Sequence, residues 1–135
     1  MGTNEPTAQL KLKNGATLSS QNYADFAKGR VANERGELRF PSLTTTKLRR
    51  IYGNIMNVYT KINVPEDFEK YKSDLQYLKV KMAYESGRDG EVRAFIDGTF
   101  LLEMLDGIKS HDQFMLYCRY AESLVAYFKF YGGRD

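Results

Sequence analysis

Apolar residues recur along the middle of the chain at the spacing of one helix face. Leu48, Ile51, Ile55, Val58, Tyr59 and Ile62 follow at intervals of three, four, three, one and three. That lays one stripe along a helix of about five turns, starting in the stretch "TTTK". Gly53 inside it costs about 1 kcal/mol relative to alanine. Before this helix, Tyr23, Phe26, Ala27 and Val31 predict another from near Ser20, ended by "ERGELRFPS" with Gly36 and Pro41. After it, "NVPEDF" is a helix start: Asn63 caps, Pro65 fits the first turn, and Glu66 and Asp67 complement the dipole. Tyr71, Leu75, Leu78 and Met82 form its inward stripe and Gly87 its stop, so Pro65 to Gly87 reads as one rod of roughly 35 Å.

A fourth helix follows Asp89. Val92, Phe95 and Ile96 begin its stripe, Gly98 bends it, and Leu101, Leu102 and Leu105 resume it in shifted phase. Ser110 and Gln113 form a capping box for the last helix. That helix carries Phe114, Tyr117, Cys118, Ala121, Leu124, Val125 and Phe128 on one face, and Leu116, Tyr120, Tyr127 and Phe130 on much of the rest. A helix apolar nearly all round is the centre of a bundle or part of an interface. Residues 1–18 are polar and show no clear period, so they are expected to form a flexible arm ahead of a single domain over 19–135. No strand alternation stands out, and "LRF" is too short to count. The expected fold is all-α, a compact bundle of about five helices.

Composition narrows the function by exclusion. The 135 residues are 42% hydrophobic and 27% charged, an ordinary globular balance, with a net charge of +3. A mild basic excess does not by itself imply nucleic acid. One cysteine, Cys118, and one histidine, His111, cannot make a disulfide or the usual zinc sites. The start lacks a long apolar run, and Pro6 spoils the Gly2 acylation pattern. No stretch approaches the roughly 18 apolar residues of a membrane span, so a cytoplasmic address is expected.

Catalytic chemistry is scarce. Ser110, His111 and Asp112 are consecutive, and adjacent helical residues point about 100° apart, so they read as a capping turn rather than a triad. Cys118 falls in an apolar stripe and reads as a structural thiol. Asp97, Glu103 and Asp106 read as solvated or salt-bridged, and "YGGRD" lacks the spacing and lysine of a phosphate loop. No enzyme or cofactor motif is present.

The cations say more. "TKLRR" puts Lys47, Arg49 and Arg50 at the start of the second helix, where free N–H groups and positive charge together suit a phosphate. Lys81 and Arg88 are seven apart and share a face of the third helix, and Lys72 and Lys79 share another edge. Arg119 and Lys129 lie toward the less apolar side of the last helix. These are either solubility charges with tyrosines at the core edge, or a surface that follows a nucleic-acid backbone.

Three segments weigh on that choice. "YLKVKMAYESGR" (77–88) and "FMLYCRYAESLVAYFKFYGG" (114–133) closely resemble the small subunit of type III-A CRISPR effectors, the Csm complex. "LTTTKLRRIYGNI" (43–55) fits that family's Leu-Thr-Thr, basic, Arg helix start, and the order and spacing of the three agree; the first 40 residues match weakly. The resemblance implies a five-helix subunit without catalytic activity or cofactor. Copies of it stack into a filament beside the backbone subunits that hold guide RNA, and touch the large polymerase-like subunit. It also implies contacts to the sugar-phosphate backbone of target RNA and of the guide–target duplex. By match to the segments these fall to Lys47, Arg49, Arg50, Lys79, Lys81, Arg88, Arg119 and Lys129. Arg49 matches best. Arg119 and Lys129 have the alternative of internal pairs with Glu122 or Glu85. The rival functions are a helical protein–protein scaffold without nucleic-acid contact, a helical DNA-binding regulator and an enzyme of unfamiliar type; the last two lack a recognition-helix arrangement and clustered catalytic groups respectively.

Overall fold

The computed structural model describes residues 8–134. Its elements are a two-stranded sheet and seven helices, so the expected mostly helical bundle stands. The first departure lies in the segment expected to be a flexible arm. Residues 1–7 lie outside the described residues, but β1 (Gln9–Lys11) and β2 (Thr17–Ser19) pair antiparallel with Leu10 opposite Leu18. The turn holds Gly15 at φ +93°, and Asn14 Oδ1 accepts from the Ala16 N–H at 2.8 Å. Leu10, Leu12 and Leu18 are all buried. The hairpin stands where a flexible arm is expected, and its inward leucines are the reason it docks.

Then come α1 (Tyr23–Val31) and α2 (Thr45–Tyr59). The single expected rod is two helices, α3 (Pro65–Lys70) and α4 (Lys72–Arg88), broken at Tyr71. Asn63 is not the cap of α3: Asp67 Oδ2 instead accepts from the Asn63 and Val64 N–H groups at 3.1 and 3.4 Å. The fourth helix is also two, α5 (Gly90–Thr99) and α6 (Leu101–Leu105). The break is not at Gly98 but at Phe100, which is left-handed at φ +65°. Gly98 makes room instead: a Cβ there would lie 2.7 Å from Phe40 Cζ.

The last helix, α7 (His111–Phe130), is the centre of the bundle. It packs against α1, α2, α3 and β1, and its Phe114, Tyr117, Tyr120, Leu124 and Phe128 are sealed from solvent. Its start is capped as expected, with Ser110 Oγ accepting from the Gln113 N–H at 3.2 Å. Gln113 also reaches back to Lys109 N–H at 2.7 Å and donates to the Gln9 carbonyl at 2.9 Å, which ties the hairpin to α7. Two buried α7 hydroxyls brace the α5–α6 break. Tyr120 donates to the Thr99 carbonyl at 2.7 Å and Tyr117 to the Leu101 carbonyl at 2.8 Å.

Candidate nucleic-acid interface

Helices α2 and α4 lie side by side and antiparallel, and their polar residues meet in register along one seam. At one end Lys47 Nζ sits 2.8 Å from Asp89 and 3.0 Å from Glu91. Next, Glu85 lies 3.3 Å from Arg88 and 4.0 Å from Arg50. A groove of about 450 Å³ follows, lined by Asn54 and Asn57 from α2, by Lys61 from the turn after it, and by Asp74, Tyr77 and Lys81 from α4. At its far end Lys61 pairs with Asp74 at 3.0 Å. Of the sequence-predicted residues, the seam gathers Lys47, Arg50, Lys81 and Arg88. It adds Asn54 and Asn57 of α2 and Lys61 just beyond its end, which do not form a charge run; their spacing of three and four along the sequence is the signal that could have found them.

The other four stand elsewhere. Arg49 is exposed on the outer side of α2. Lys79 turns toward α6 and pairs with Asp106 at 2.8 Å. Arg119 borders a separate groove with Tyr23, Tyr52 and Glu122, and Lys129 is exposed near the end of α7. Among the described residues, no carboxylate is ion-paired with Arg49, Lys81, Arg119 or Lys129. Glu85, one of the suggested internal partners, is engaged by Arg50 and Arg88 instead.

The start of α2 does not offer the open phosphate cradle that its sequence suggests. Thr44 Oγ1 accepts from the Lys47 N–H at 3.2 Å, the Arg134 carbonyl accepts from the Thr45 N–H at 2.7 Å, and Lys47 itself faces two carboxylates. Two of the first-turn donors and the lysine are thus already engaged within the fold.

The charge balance of the seam is close. Lys47, Arg50, Lys61, Lys81 and Arg88 face Asp74, Glu85, Asp89 and Glu91, five cations against four acids, a net of +1. Exposed pairs of this kind stabilise little and are screened by salt. They do leave a mark on titration. Lys47 Nζ, by hydrogen-bonding Asp89, holds that carboxyl below its ordinary value, and Lys79 does the same for Asp106. A depressed carboxyl contributes stability that is present above its unfolded pKa of 3.8 and is lost as pH falls through the folded value. Lys47 is raised, so its share is present below 10.5 and is lost as pH rises through the folded value. Melting temperatures followed against pH are therefore expected to separate wild type from Lys47→Met most at neutral pH, and to converge in acid. Equal separation at every pH would remove the ion pair as the cause.

Cys118 and His111 are withdrawn from solvent, and Asp97, Glu103 and Asp106 have partners within the fold. Cys118 is buried, which pushes its thiol up to about 12, far from a reactive thiolate. His111 opens α7 with its ring largely buried, and neither ring nitrogen has a hydrogen-bond partner; Asp112 Oδ1 lies 3.8 Å away. Asp97 pairs with Arg93, Glu103 accepts from the Lys13 N–H, and Asp106 pairs with Lys79. No helix among the described residues is long and apolar enough to cross a membrane.

Comparison with known proteins agrees with the three resembling segments. The family model for Csm2 of type III-A matches residues 21–134. A protein of Enterococcus italicus, "CRISPR system Cms protein Csm2", is 43% identical over 111 residues, which span 76% of this chain and 79% of that protein. Its counterpart of the same description in Streptococcus thermophilus is 35% identical over 121 residues, 89% of this chain and 99% of that protein. One from Mycobacterium tuberculosis is 36% identical over 97 residues, 69% of this chain and 78% of that protein. With the match running from before α1 to the end of the described chain, and with the expected bundle beneath it, this chain belongs to the Csm2 family, the small subunit of type III-A CRISPR systems.

Proposed function

We propose that the chain is a non-catalytic subunit that stacks with copies of itself in a cytoplasmic type III-A effector complex. There it lies against the sugar-phosphate backbone of target RNA and of the guide–target duplex, touching the backbone subunits and the large polymerase-like subunit. The observation that carries the RNA contact is the α2–α4 seam. Lys61, Lys81 and two side-chain amides line its groove, with Arg50 and Arg88 beyond one end, and their spacing follows the helices rather than any base pattern. Point charges suffice for a subunit whose sequence specificity is supplied by guide pairing. A net of only +1 along the seam makes one copy bind weakly, and repetition along a filament multiplies weak contacts.

The test is fluorescence anisotropy of a single-stranded RNA about 40 nucleotides long, titrated with salt. Wild type is compared with Arg50→Ala/Lys81→Ala/Arg88→Ala. Each phosphate contact on a single strand contributes about 0.7 to the slope of log K against log salt, so the triple variant is expected to bind more weakly with a slope shallower by about 2. Identical affinity and slope for the two proteins would show the seam to be a solvated face or a protein contact. The same titration on Lys79→Ala, Arg49→Ala, Arg119→Ala and Lys129→Ala separates the outlying cations that touch RNA from those that do not.

A further inference from the structure

The outward ridge of α4 carries an ordered alternation that phosphate binding leaves unused. Lys81 Nζ lies over the Tyr77 ring at 5.0 Å from its centroid, and four residues on from Tyr84, Arg88 lies over that ring at 5.7 Å. The second pair repeats the first seven residues later, about 10.5 Å along the helix. Both rings are open to solvent: Tyr77 is 59% exposed and Tyr84 65%, with Val80 between them at 59%. These tyrosines are therefore not the core-edge residues that a bland account of the sequence makes them. Each has one face under a cation and surface left for another flat group.

Chemistry selects the occupant. From Leu75 to Arg88 the one carboxylate is Glu85, whose side chain is 16% exposed and turned into the seam between Arg50 and Arg88. The ridge thus offers aromatic faces and cations, while the acids that flank it, Asp74 and Asp89, are paired with Lys61 and Lys47, which complements a polyanion that carries flat rings. A nucleotide presents both, with base and phosphate offset as ring and cation are here. The near-balanced charge of the seam also leaves little electrostatic attraction, so a second source of affinity is needed.

We infer that Tyr77 and Tyr84 are stacking platforms for unpaired RNA bases, with Lys81 and Arg88 holding the adjoining phosphates. The inference rests on the backbone-binding function proposed above and adds bases to it. The two residues are about 10.5 Å apart along the helix, about three times the rise of about 3.4 Å per stacked nucleotide, so the two rings meet different bases. Each takes an unpaired base with a free face, which a continuous duplex does not offer. Stacking is blind to sequence because every base has a π-face.

The experiment uses the full chain and two strands of equal length, a single-stranded RNA and the same ribose-phosphate strand without bases. Wild type, Tyr77→Leu/Tyr84→Leu and Tyr77→Phe/Tyr84→Phe are titrated with each at several salt concentrations. Wild type is expected to prefer the strand with bases. The leucine variant is expected to bind that strand about 10- to 100-fold more weakly with an unchanged salt slope, since no phosphate contact is removed. The phenylalanine variant is expected to match wild type. If all three proteins bind both strands alike with a salt-dependent affinity, stacking is refuted while backbone binding survives. If wild type binds neither strand, backbone binding fails and the stacking falls with it. An unchanged RNA affinity for the leucine variant, together with loss of self-association in sedimentation, would make the ridge an interface between copies and overturn the inference.

Discussion

Replacing Tyr120 by alanine is expected to lower the melting temperature by on the order of 15 °C or more. The side chain is fully buried at the middle of α7, meets Phe26 edge-on at 5.7 Å between centroids, and hydrogen-bonds the Thr99 carbonyl at 2.7 Å. Truncating a buried aromatic costs about 3–5 kcal/mol. Depriving a buried carbonyl of its donor adds about 1–3 kcal/mol. A domain of this size is stable by only about 5–15 kcal/mol, so the loss takes a large share of the whole. Tyr120→Phe divides the effect, because it keeps the ring and removes the hydroxyl. It is expected to cost about 1–2 kcal/mol. Thermal melts followed by circular dichroism check both. A phenylalanine variant as unstable as the alanine variant would mean that the hydrogen bond, rather than packing, holds the α5–α6 break in place.

Reversing Lys81 and Arg88 to glutamate together is expected to weaken RNA binding by on the order of 100-fold at moderate salt. Two contacts are removed, at roughly fivefold each in 0.1 M salt, and repulsion is added. The change takes the net charge from +3 to −1, since two reversals subtract four. A control with the same arithmetic, Lys28→Glu/Arg35→Glu, alters α1 and the loop after it instead of the seam. If net charge governs binding, the two double variants lose affinity alike. If position on the α2–α4 seam governs it, the control keeps most of its affinity and its salt slope. Filter binding at three salt concentrations distinguishes them.

The stripes of α2 and α7 and the cap at Ser110 are legible in the sequence because each depends on residues a few positions apart. The hairpin also has a local signal. Asn14-Gly15 between alternating Leu10, Leu12 and Leu18 is a strong turn signal, hidden by the polar residues around it. The left-handed Phe100 carries no such signal. A bulky residue adopts that conformation here because its surroundings hold it, with Phe26 and Arg30 against the ring and two α7 hydroxyls on the neighbouring carbonyls. The grouping of the cations was half legible. That Lys81 and Arg88 share a face follows from their spacing. That Lys47 meets Asp89, or Lys79 meets Asp106, depends on which helices become neighbours, and no local pattern states it.

The central place of α7 has a consequence in time. The hairpin, α1, α2 and α3 all pack on a helix that begins at His111, and the bond from Gln113 to Gln9 spans 104 residues. Synthesis runs at about 5–20 residues per second, so the stripes of the earlier helices emerge seconds before the surface that covers them. Contacts this distant along the chain form late and make folding slow for a helical protein. A nascent chain stopped short of α7 is left with exposed apolar faces and no centre, so the helper proteins that shield such faces have their longest access before the last helix leaves the ribosome.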